Sequence, residues 1–255
     1  MTLKAGAHSV DISPPNGMQL MGYPHVERLA EGVHDPLLAS AIYLDNGDAA
    51  QVQITLDILF LDPPTSRDVC QRVAATAGLE PSAVFVSCTH THSGPVTASM
   101  LVWQGDVAAP PPDAAYLESL KEKVVQAAAA AKASAQPAEL AWTTAQIDGV
   151  GCNRHSPDGA TDPEVGLLVI RAATDKSPIA MASIYGMHPT VLHKELAPGQ
   201  SFPVAFTEGE LQGYIVTPEA AAAGGYEAAG AVFAPATGEE MVKGARQALQ
   251  QLGLI

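Results

Sequence analysis

The segment AVFVSCTHTHSGP at residues 83–95 joins a short apolar run to a pair of histidines. Residues 83–86 are apolar, and three of the four are β-branched or aromatic, which predicts a buried strand. Gly94 and Pro95 are typical strand breakers. We therefore expect His90 and His92 at the carboxyl end of a strand, where α/β proteins collect ligands and catalytic groups.

The spacing of the two histidines leaves their arrangement open. In an extended segment the side chains of His90 and His92 point to opposite faces, so that one could bind a metal while the other acts on substrate. If the chain turns, both could face one ion. By itself, the pair fits a structural role equally well, as two polar side chains at a strand end.

A second segment, SIYGMHP at residues 183–189, repeats the pattern. It is an apolar strand that ends in His188 and then Pro189. Two separate strands thus deliver a histidine at the same kind of position. Because neutral imidazole is the commonest metal ligand and suits zinc, the recurrence favours a zinc site.

Composition narrows the class of protein. The chain has 255 residues, of which 47% are hydrophobic and 16% charged, so we expect a sizeable core. A formal net charge of −14 argues against nucleic acid as a partner, because phosphate binding needs basic patches.

No apolar run reaches the ~18 residues of a membrane span. Residues 1–6 lack the apolar core of a signal peptide, which predicts a cytoplasmic protein, or a secreted one whose leader was removed.

The three cysteines are odd in number and widely spaced, which favours free thiols over a disulfide framework. They are Cys70, Cys88 and Cys152. Cys88 lies beside the histidine pair, and a small core residue is a better interpretation of it than a zinc thiolate.

The remaining patterns predict a mixed α/β chain. We expect strands at residues 8–12, 38–44, 51–56, 140–147, 165–171 and 179–187, and helices at 64–77, 113–133 and 238–252. The turn at residues 45–48 contains Asn-Gly, a strong hairpin signal. Gly78 and Asp113 have the residue types of helix caps. Short antiparallel strands with a few helices favour an α/β sandwich with a mixed sheet, as one domain over residues 1–255.

Several segments resemble the neutral/alkaline non-lysosomal ceramidase family. THTHSGP at 89–95 is the most specific; the others are DISPP at 11–15, MGY at 21–23, GVHDPL at 32–37, LD at 56–57, NR at 153–154 and MHP at 187–189. Near the C-terminus, GY at 213–214, TPE at 217–219 and GYEA at 225–228 resemble the family's zinc-tyrosine segment. The resemblance covers about residues 5–193 and 202–252.

This resemblance implies a compacted ceramidase catalytic domain, a zinc hydrolase that cleaves the N-acyl amide bond of ceramide-like lipids. The family's zinc ligands map onto His90, His188 and Tyr214. The family's catalytic groups map onto three further residues: His92, as a proton carrier, and Arg154 and Tyr226, as the groups that hold the substrate carbonyl and its oxyanion.

Asp57 is a further candidate, because it ends the apolar strand at 51–56. Its carboxylate could orient a metal-binding histidine without touching the metal itself, or it could cap a turn.

The chain departs from the family pattern after His193, which runs almost directly into the tyrosine segment. The family's long central region is missing, so we expect an internal deletion near residues 194–202. Such a deletion should expose apolar surface, and we therefore expect self-association into a homo-oligomer. The acidic surface favours a small or soluble amide over a membrane lipid as the substrate. Two alternatives stay open: a non-catalytic metal- or ligand-binding remnant of the family, and an esterase or lactonase on the same scaffold.

Overall fold

A computed structural model describes residues 2–22, 27–33, 35–99, 105–147, 161–186 and 201–204, together with isolated helical positions between 218 and 250. The strands are β1 (Lys4–Asp11), β2 (Leu38–Asp45), β3 (Ala50–Leu56), β4 (Val84–Cys88), β5 (Gln136–Gln146), β6 (Glu164–Ala172), β7 (Pro178–Tyr185) and β8 (Ser201–Val204). The helices are α1 (Pro63–Ala77), a 3₁₀ turn at Pro81–Ala83, and α2 (Ala114–Ala133).

Two compact units make up the chain. The first comprises Met1–Glu139 with Ile170–Ala180, and the second Leu140–Val169 with Met181–Ile255. Residues 194–200, at the expected deletion, lie outside the described part, so the deletion and the single domain stay predictions.

The sheet of the first unit has the strand order β4-β3-β2-β1-β5. β1 and β2 are antiparallel from Lys4↔Asp45 to Asp11↔Leu38, and β2 and β3 form the predicted antiparallel hairpin. β3 and β4 run parallel. The predicted mixed-sheet α/β fold is confirmed.

A β3–α1–β4 unit explains the parallel pair. The Asp62 carboxylate accepts a hydrogen bond from the Thr65 N–H at 2.8 Å and so caps the start of α1. Gly78 ends the helix in the left-handed conformation, with φ of 67°, as its position in the sequence predicted. Because α1 returns the chain to a parallel neighbour, the carboxyl ends of β3 and β4 lie at the same edge of the sheet.

One face of this sheet packs on the two helices and forms the core. The predicted cap of α2 is confirmed, since Asp113 accepts a hydrogen bond from the Tyr116 N–H at 2.7 Å. Tyr116 then donates from its hydroxyl to the Ile12 carbonyl at 2.7 Å inside the core. The largest fully buried side chains of this cluster are Ile12, Val52, Ile54, Leu56, Ile58, Val69, Val73 and Leu120. Each contributes roughly 1.5–3 kcal/mol by its removal from water.

The opposite face of the sheet carries a row of hydroxyl groups. Ser9, Ser40, Thr55 and Ser87 stand side by side on β1 to β4, because each is the register partner of the next. The hydroxyls of Ser9 and Ser40 are 3.1 Å apart, and those of Thr55 and Ser87 are 3.2 Å apart. The row pairs polar groups that would otherwise be costly to bury.

The second unit contains most of the residues of β5, β6 and β7, together with β8, in that strand order, and β7 and β8 are parallel. The half-exposed Trp142 ring lies over Gly166 on the neighbouring strand, where a Cβ would collide with the ring. Helical backbone at positions 240, 243, 244, 246, 247 and 250 falls inside the predicted closing helix. No helix within the described residues combines the length and hydrophobicity needed to cross a membrane.

Candidate active site

The histidine pair follows the end of β4. The Thr89 N–H continues the parallel ladder by donating to the Leu56 carbonyl at 2.9 Å. At His90 the backbone enters the left-handed region, with φ of 58°, a conformation that few residues other than glycine adopt. This turn brings the rings of His90 and His92 together in an edge-to-face contact, with their centroids 5.1 Å apart. Of the two arrangements left open by the spacing, the structure has the turned one.

His90 is oriented by a backbone carbonyl. Its Nδ1 lies 3.1 Å from the Leu59 oxygen, and because a carbonyl can only accept, the proton is on Nδ1 and the lone pair is on Nε2. Burial lowers the pKa of His90, although the hydrogen bond to Leu59 partly opposes that shift. The ring is therefore held neutral, in one tautomer.

His92 is buried, and the segment before β2 encloses it. The Arg28 guanidinium donates from Nη2 to the carbonyls of His92, at 2.5 Å, and Met21, at 3.0 Å. Gly22 has φ of 123° and lies so close to the His92 ring that a Cβ would overlap it. A glycine is needed here both for its backbone conformation and for the space it leaves.

We call residues 89–97 the histidine loop and residues 57–62 the β3 loop. On one side the histidine loop pairs with the segment at 19–21, where Met21 N–H donates to the Gly94 carbonyl at 2.8 Å. On the other side, the fully buried Thr97 donates from its hydroxyl to the Phe60 carbonyl at 2.6 Å. Consecutive carbonyls of the β3 loop, those of Leu59 and Phe60, therefore hold the two ends of the histidine loop.

Asp57, at the start of the β3 loop, contacts β2. Its Oδ2 accepts from the Leu38 N–H at 2.9 Å, and its own N–H donates to the Leu38 carbonyl at 2.9 Å. The carboxyl keeps some exposure but is largely surrounded by protein, and burial raises its pKa. The Leu38 N–H opposes that rise, as does the Thr89 hydroxyl, which comes close without reaching good hydrogen-bond geometry.

Cys88 lies in the same region. Burial is the main cause that raises the pKa of its thiol, to about 12, and the charge of Asp57 adds to it. The side chain is half-buried and packs against the hydrophobic core, which agrees with the interpretation of Cys88 as a small core residue.

Four of the predicted site residues lie outside the described part of the chain: Arg154, His188, Tyr214 and Tyr226. Whether they approach His90 and His92 stays a prediction. Among the residues that the structure does describe, no group of three or more His, Cys, Asp or Glu side chains is placed to hold a metal ion.

Sequence reasoning missed the groups that hold the histidines. The Leu59 and Phe60 carbonyls carry no side-chain signature, and Arg28 stands outside every motif that drew attention. Gly22 lies within the MGY segment at 21–23, but only the structure shows that its role is to make room for His92.

One family profile and at least two solved structures match the chain. The profile of the neutral/alkaline non-lysosomal ceramidase N-terminal domain matches residues 4–197. Among solved structures, the neutral ceramidase from Pseudomonas aeruginosa superposes with a TM-score of 0.64 at 21% identity, over 74% of this chain and 32% of that chain. A ceramidase complexed with C2 gives a TM-score of 0.62 at 20% identity, over 74% of this chain and 31% of that one. No curated protein matches the sequence significantly.

At such low identities the superpositions show a shared fold, and this chain spans about a third of the length of either ceramidase. The profile, in contrast, covers more than half of the chain, including the histidine loop and the MHP segment at 187–189. The chain belongs to the neutral/alkaline non-lysosomal ceramidase family.

Proposed function

We propose that the chain is a zinc-dependent hydrolase that cleaves an N-acyl amide bond, as a ceramidase does. The observation that carries the proposal is the hydrogen bond from His90 Nδ1 to the Leu59 carbonyl. Histidines that bind metals usually donate their second ring N–H to a carbonyl or carboxylate, which fixes the tautomer and makes the ligating nitrogen more basic. His90 has this arrangement, and burial lowers its pKa, which favours the neutral ring that metal binding requires.

The proposed ligands fit zinc. His90 and His188 would supply two imidazole nitrogens and Tyr214 a phenolate oxygen. Catalytic zinc sites typically take three protein ligands of this hard-to-borderline type and keep a fourth position open. Zinc held there would supply Lewis acidity, both to activate a water molecule and to polarise the acyl carbonyl.

The other predicted residues have proton-transfer and binding roles. The edge-to-face contact with His90 places His92 beside the proposed ligand, where it could carry a proton to the departing amine. Arg154 and Tyr226 would stabilise the oxyanion that develops on the carbonyl. His92 is buried and its main chain is held by Arg28, so its position would be set before substrate arrives.

The proposed substrate is a ceramide-like N-acyl amide, which would place the protein in sphingolipid metabolism. The net charge of −14 favours a small or dispersed amide over one embedded in an anionic bilayer.

The test combines metal content with turnover. Purified protein should contain about one zinc per chain and should hydrolyse a short-chain N-acyl sphingosine, with loss of activity on chelation and recovery when zinc is restored. His90→Ala should abolish both zinc binding and turnover, and His90→Asn, which better tolerates the left-handed backbone, should do the same. The matched control is His8→Ala, an exposed histidine on β1, which should change neither.

The same assay separates the alternatives. A folded protein that contains no zinc and shows no turnover would be the non-catalytic remnant. Zinc-dependent turnover of matched esters or lactones but not of the amide would assign the chain to those substrates.

A further inference from the structure

The β3 loop holds the histidine loop by two consecutive carbonyls. Leu59 accepts from His90 and Phe60 accepts from Thr97. The position of the Leu59 oxygen therefore determines which nitrogen of His90 carries the proton, while the Phe60 oxygen holds the far end of the histidine loop. A carbonyl can do this only if its own peptide is fixed, because a peptide that rotates presents an N–H instead.

Asp57 fixes the beginning of that loop. The regular β2–β3 ladder ends with the pair Ala39↔Leu56. Beyond it, Asp57 makes two hydrogen bonds to the same residue, from its N–H to the Leu38 carbonyl and from the Leu38 N–H to its carboxylate, both at 2.9 Å. The side chain thus replaces the backbone acceptor that an ordinary strand residue would offer, and the chain is free to leave the sheet towards Leu59.

The contact of Asp57 with the histidine loop is close on the backbone side as well. A Cβ on Gly94 would lie 3.3 Å from the Asp57 carbonyl oxygen, so the two loops touch at this point. Leu59, two residues further on, is 4% exposed and packs in a small hydrophobic cluster with Met21 and Val96. A displacement of Asp57 would accordingly be transmitted to the Leu59 oxygen.

We propose that Asp57 is a positioning residue, which holds the β3 loop so that the Leu59 carbonyl keeps His90 in the Nδ1–H tautomer and its Nε2 ready to bind a metal. The inference deepens the proposed function and rests on it for the metal, but the tautomer itself is a property of the metal-free chain. Asp57 acts through hydrogen-bond geometry and touches neither substrate nor metal.

The experiment compares three substitutions of Asp57. Asp57→Asn keeps an acceptor at the same distance and removes only the charge. Asp57→Ala removes the acceptor. Asp57→Gln introduces a polar amide whose acceptor is displaced by one methylene. It replaces Asp57→Ala in the comparison if that variant folds poorly. Asp48→Ala, an exposed carboxylate in the β2–β3 hairpin, is the matched control.

Two measurements are made on the folded protein. Histidine ¹⁵N chemical shifts of the zinc-free chain, assigned with His90→Asn, report the tautomer. Competition against a chelator reports the affinity for Zn²⁺. We expect Asp57→Asn and Asp48→Ala to keep the Nδ1–H tautomer and to bind zinc within about threefold of the parent. We expect Asp57→Ala and Asp57→Gln to lose the single tautomer and to bind zinc about 10–100-fold more weakly, the range found when partners of metal ligands are removed.

Two results would overturn the proposal. If Asp57→Ala and Asp57→Gln fold and keep the parent tautomer, the carboxylate serves stability alone. If Asp57→Asn loses the tautomer as fully as Asp57→Ala does, the charge matters and the geometry does not. A parent chain that binds no zinc would refute the proposed function, while the tautomer measurement would still decide the role of Asp57.

Discussion

The core of the first unit and the histidine loop above it are stabilised in different ways. The core is made of side chains such as Val52, Leu56 and Leu120, which are at most 1% exposed and pack between sheet and helices. The histidine loop is held by bonds to main-chain atoms: His90 to Leu59, Thr97 to Phe60, and Arg28 to the carbonyl of His92.

This difference separates stability from site geometry. Apolar packing is non-directional and contributes in proportion to buried area, so its loss lowers the free energy of unfolding without rotating a distant ring. Hydrogen bonds to carbonyls contribute less net free energy but fix an orientation. Substitutions in the two regions should therefore have effects that can be told apart.

The largest loss of stability is expected for Leu120→Ala. Leu120 is 1% exposed in the core of α2, and its truncation leaves a cavity between helix and sheet. The free energy of unfolding should fall by about 2–5 kcal/mol, as measured by urea denaturation. Leu29→Ala, at a position 49% exposed, is the control and should cost far less. A change in the His90 tautomer in still-folded Leu120→Ala would contradict the separation of the two regions.

Gly22→Ala should cause the next largest loss of stability, and the structural change should be centred on the His92 ring. The substitution adds backbone strain of roughly 1–3 kcal/mol at positive φ and also drives a methyl group into the His92 ring. Gly17→Ala is a matched control, because Gly17 also has positive φ, at 86°, but faces open space. Both variants should lose stability in denaturation, whereas only Gly22→Ala should shift the His92 ring resonances. Equal shifts in both would show that His92 is not held by this contact.

Asp57→Asn should have a smaller, pH-dependent effect on stability. Burial raises the pKa of Asp57 in the folded chain above its ordinary value of 3.8. The folded state then binds the proton more tightly than the unfolded state, so the contribution of Asp57 is fully present at low pH and is lost as pH rises through the folded pKa. The stability of Asp57→Asn relative to the parent should increase from about pH 4 towards neutrality, measured by denaturation across pH. A flat difference would mean that folding leaves the pKa of Asp57 unchanged, and the opposite slope would mean that hydrogen bonds to the carboxylate outweigh its burial.

The smallest effect is expected for Glu118→Gln, on the surface between the helices. Glu118 accepts from Arg72 of α1, with one of the two contacts at 3.2 Å, and the pair is well exposed. Hydrogen bonding to Arg72 lowers the pKa of Glu118, but solvent screens such pairs. We expect a slight drop in the midpoint of urea denaturation, and this drop should disappear in high salt. A loss of stability comparable to that of Leu120→Ala would mean that the ion pair, and not apolar packing, joins the helices.

Local signals in the sequence predicted the elements that depend on local chemistry. Gly47 has φ of 90° in the Asn-Gly turn, Gly78 ends α1, and Asp113 caps α2, all where the residue types placed them. These features need only neighbours within a few residues, which a sequence displays directly.

The ends of strands that depend on distant partners were predicted less well. β1 begins at Lys4 and not near residue 8, because residues 4–7 also pair with β2. Gly6 lies in this stretch, against the end of α2, where a Cβ would collide with the backbone at Ala131. β5 begins at Gln136 and includes Pro137, which pairs with Lys4 on β1. Small residues and a proline do not favour a strand in the sequence, so these pairings become visible only when the neighbouring strand is in place.

The sequence supplied candidate side chains for the site, but it did not show the main-chain groups that hold two of them. His90 and His92 were identified by their spacing, but the choice between opposite faces and a shared one depended on a single backbone angle at His90. The ring of His90 is held by the Leu59 carbonyl, 31 residues earlier in the chain, and no local pattern encodes that contact.

The hydroxyl row across β1 to β4 has a consequence for how the chain finds its pairing. A slip of one residue in any of these strands would turn Ser9, Ser40, Thr55 or Ser87 towards α1 and α2 and would leave an unbonded hydroxyl among aliphatic side chains. Each such misplacement costs about 1–3 kcal/mol. The four residues thus disfavour shifted alignments of the strands, because the cost arises when the helices cover that face of the sheet.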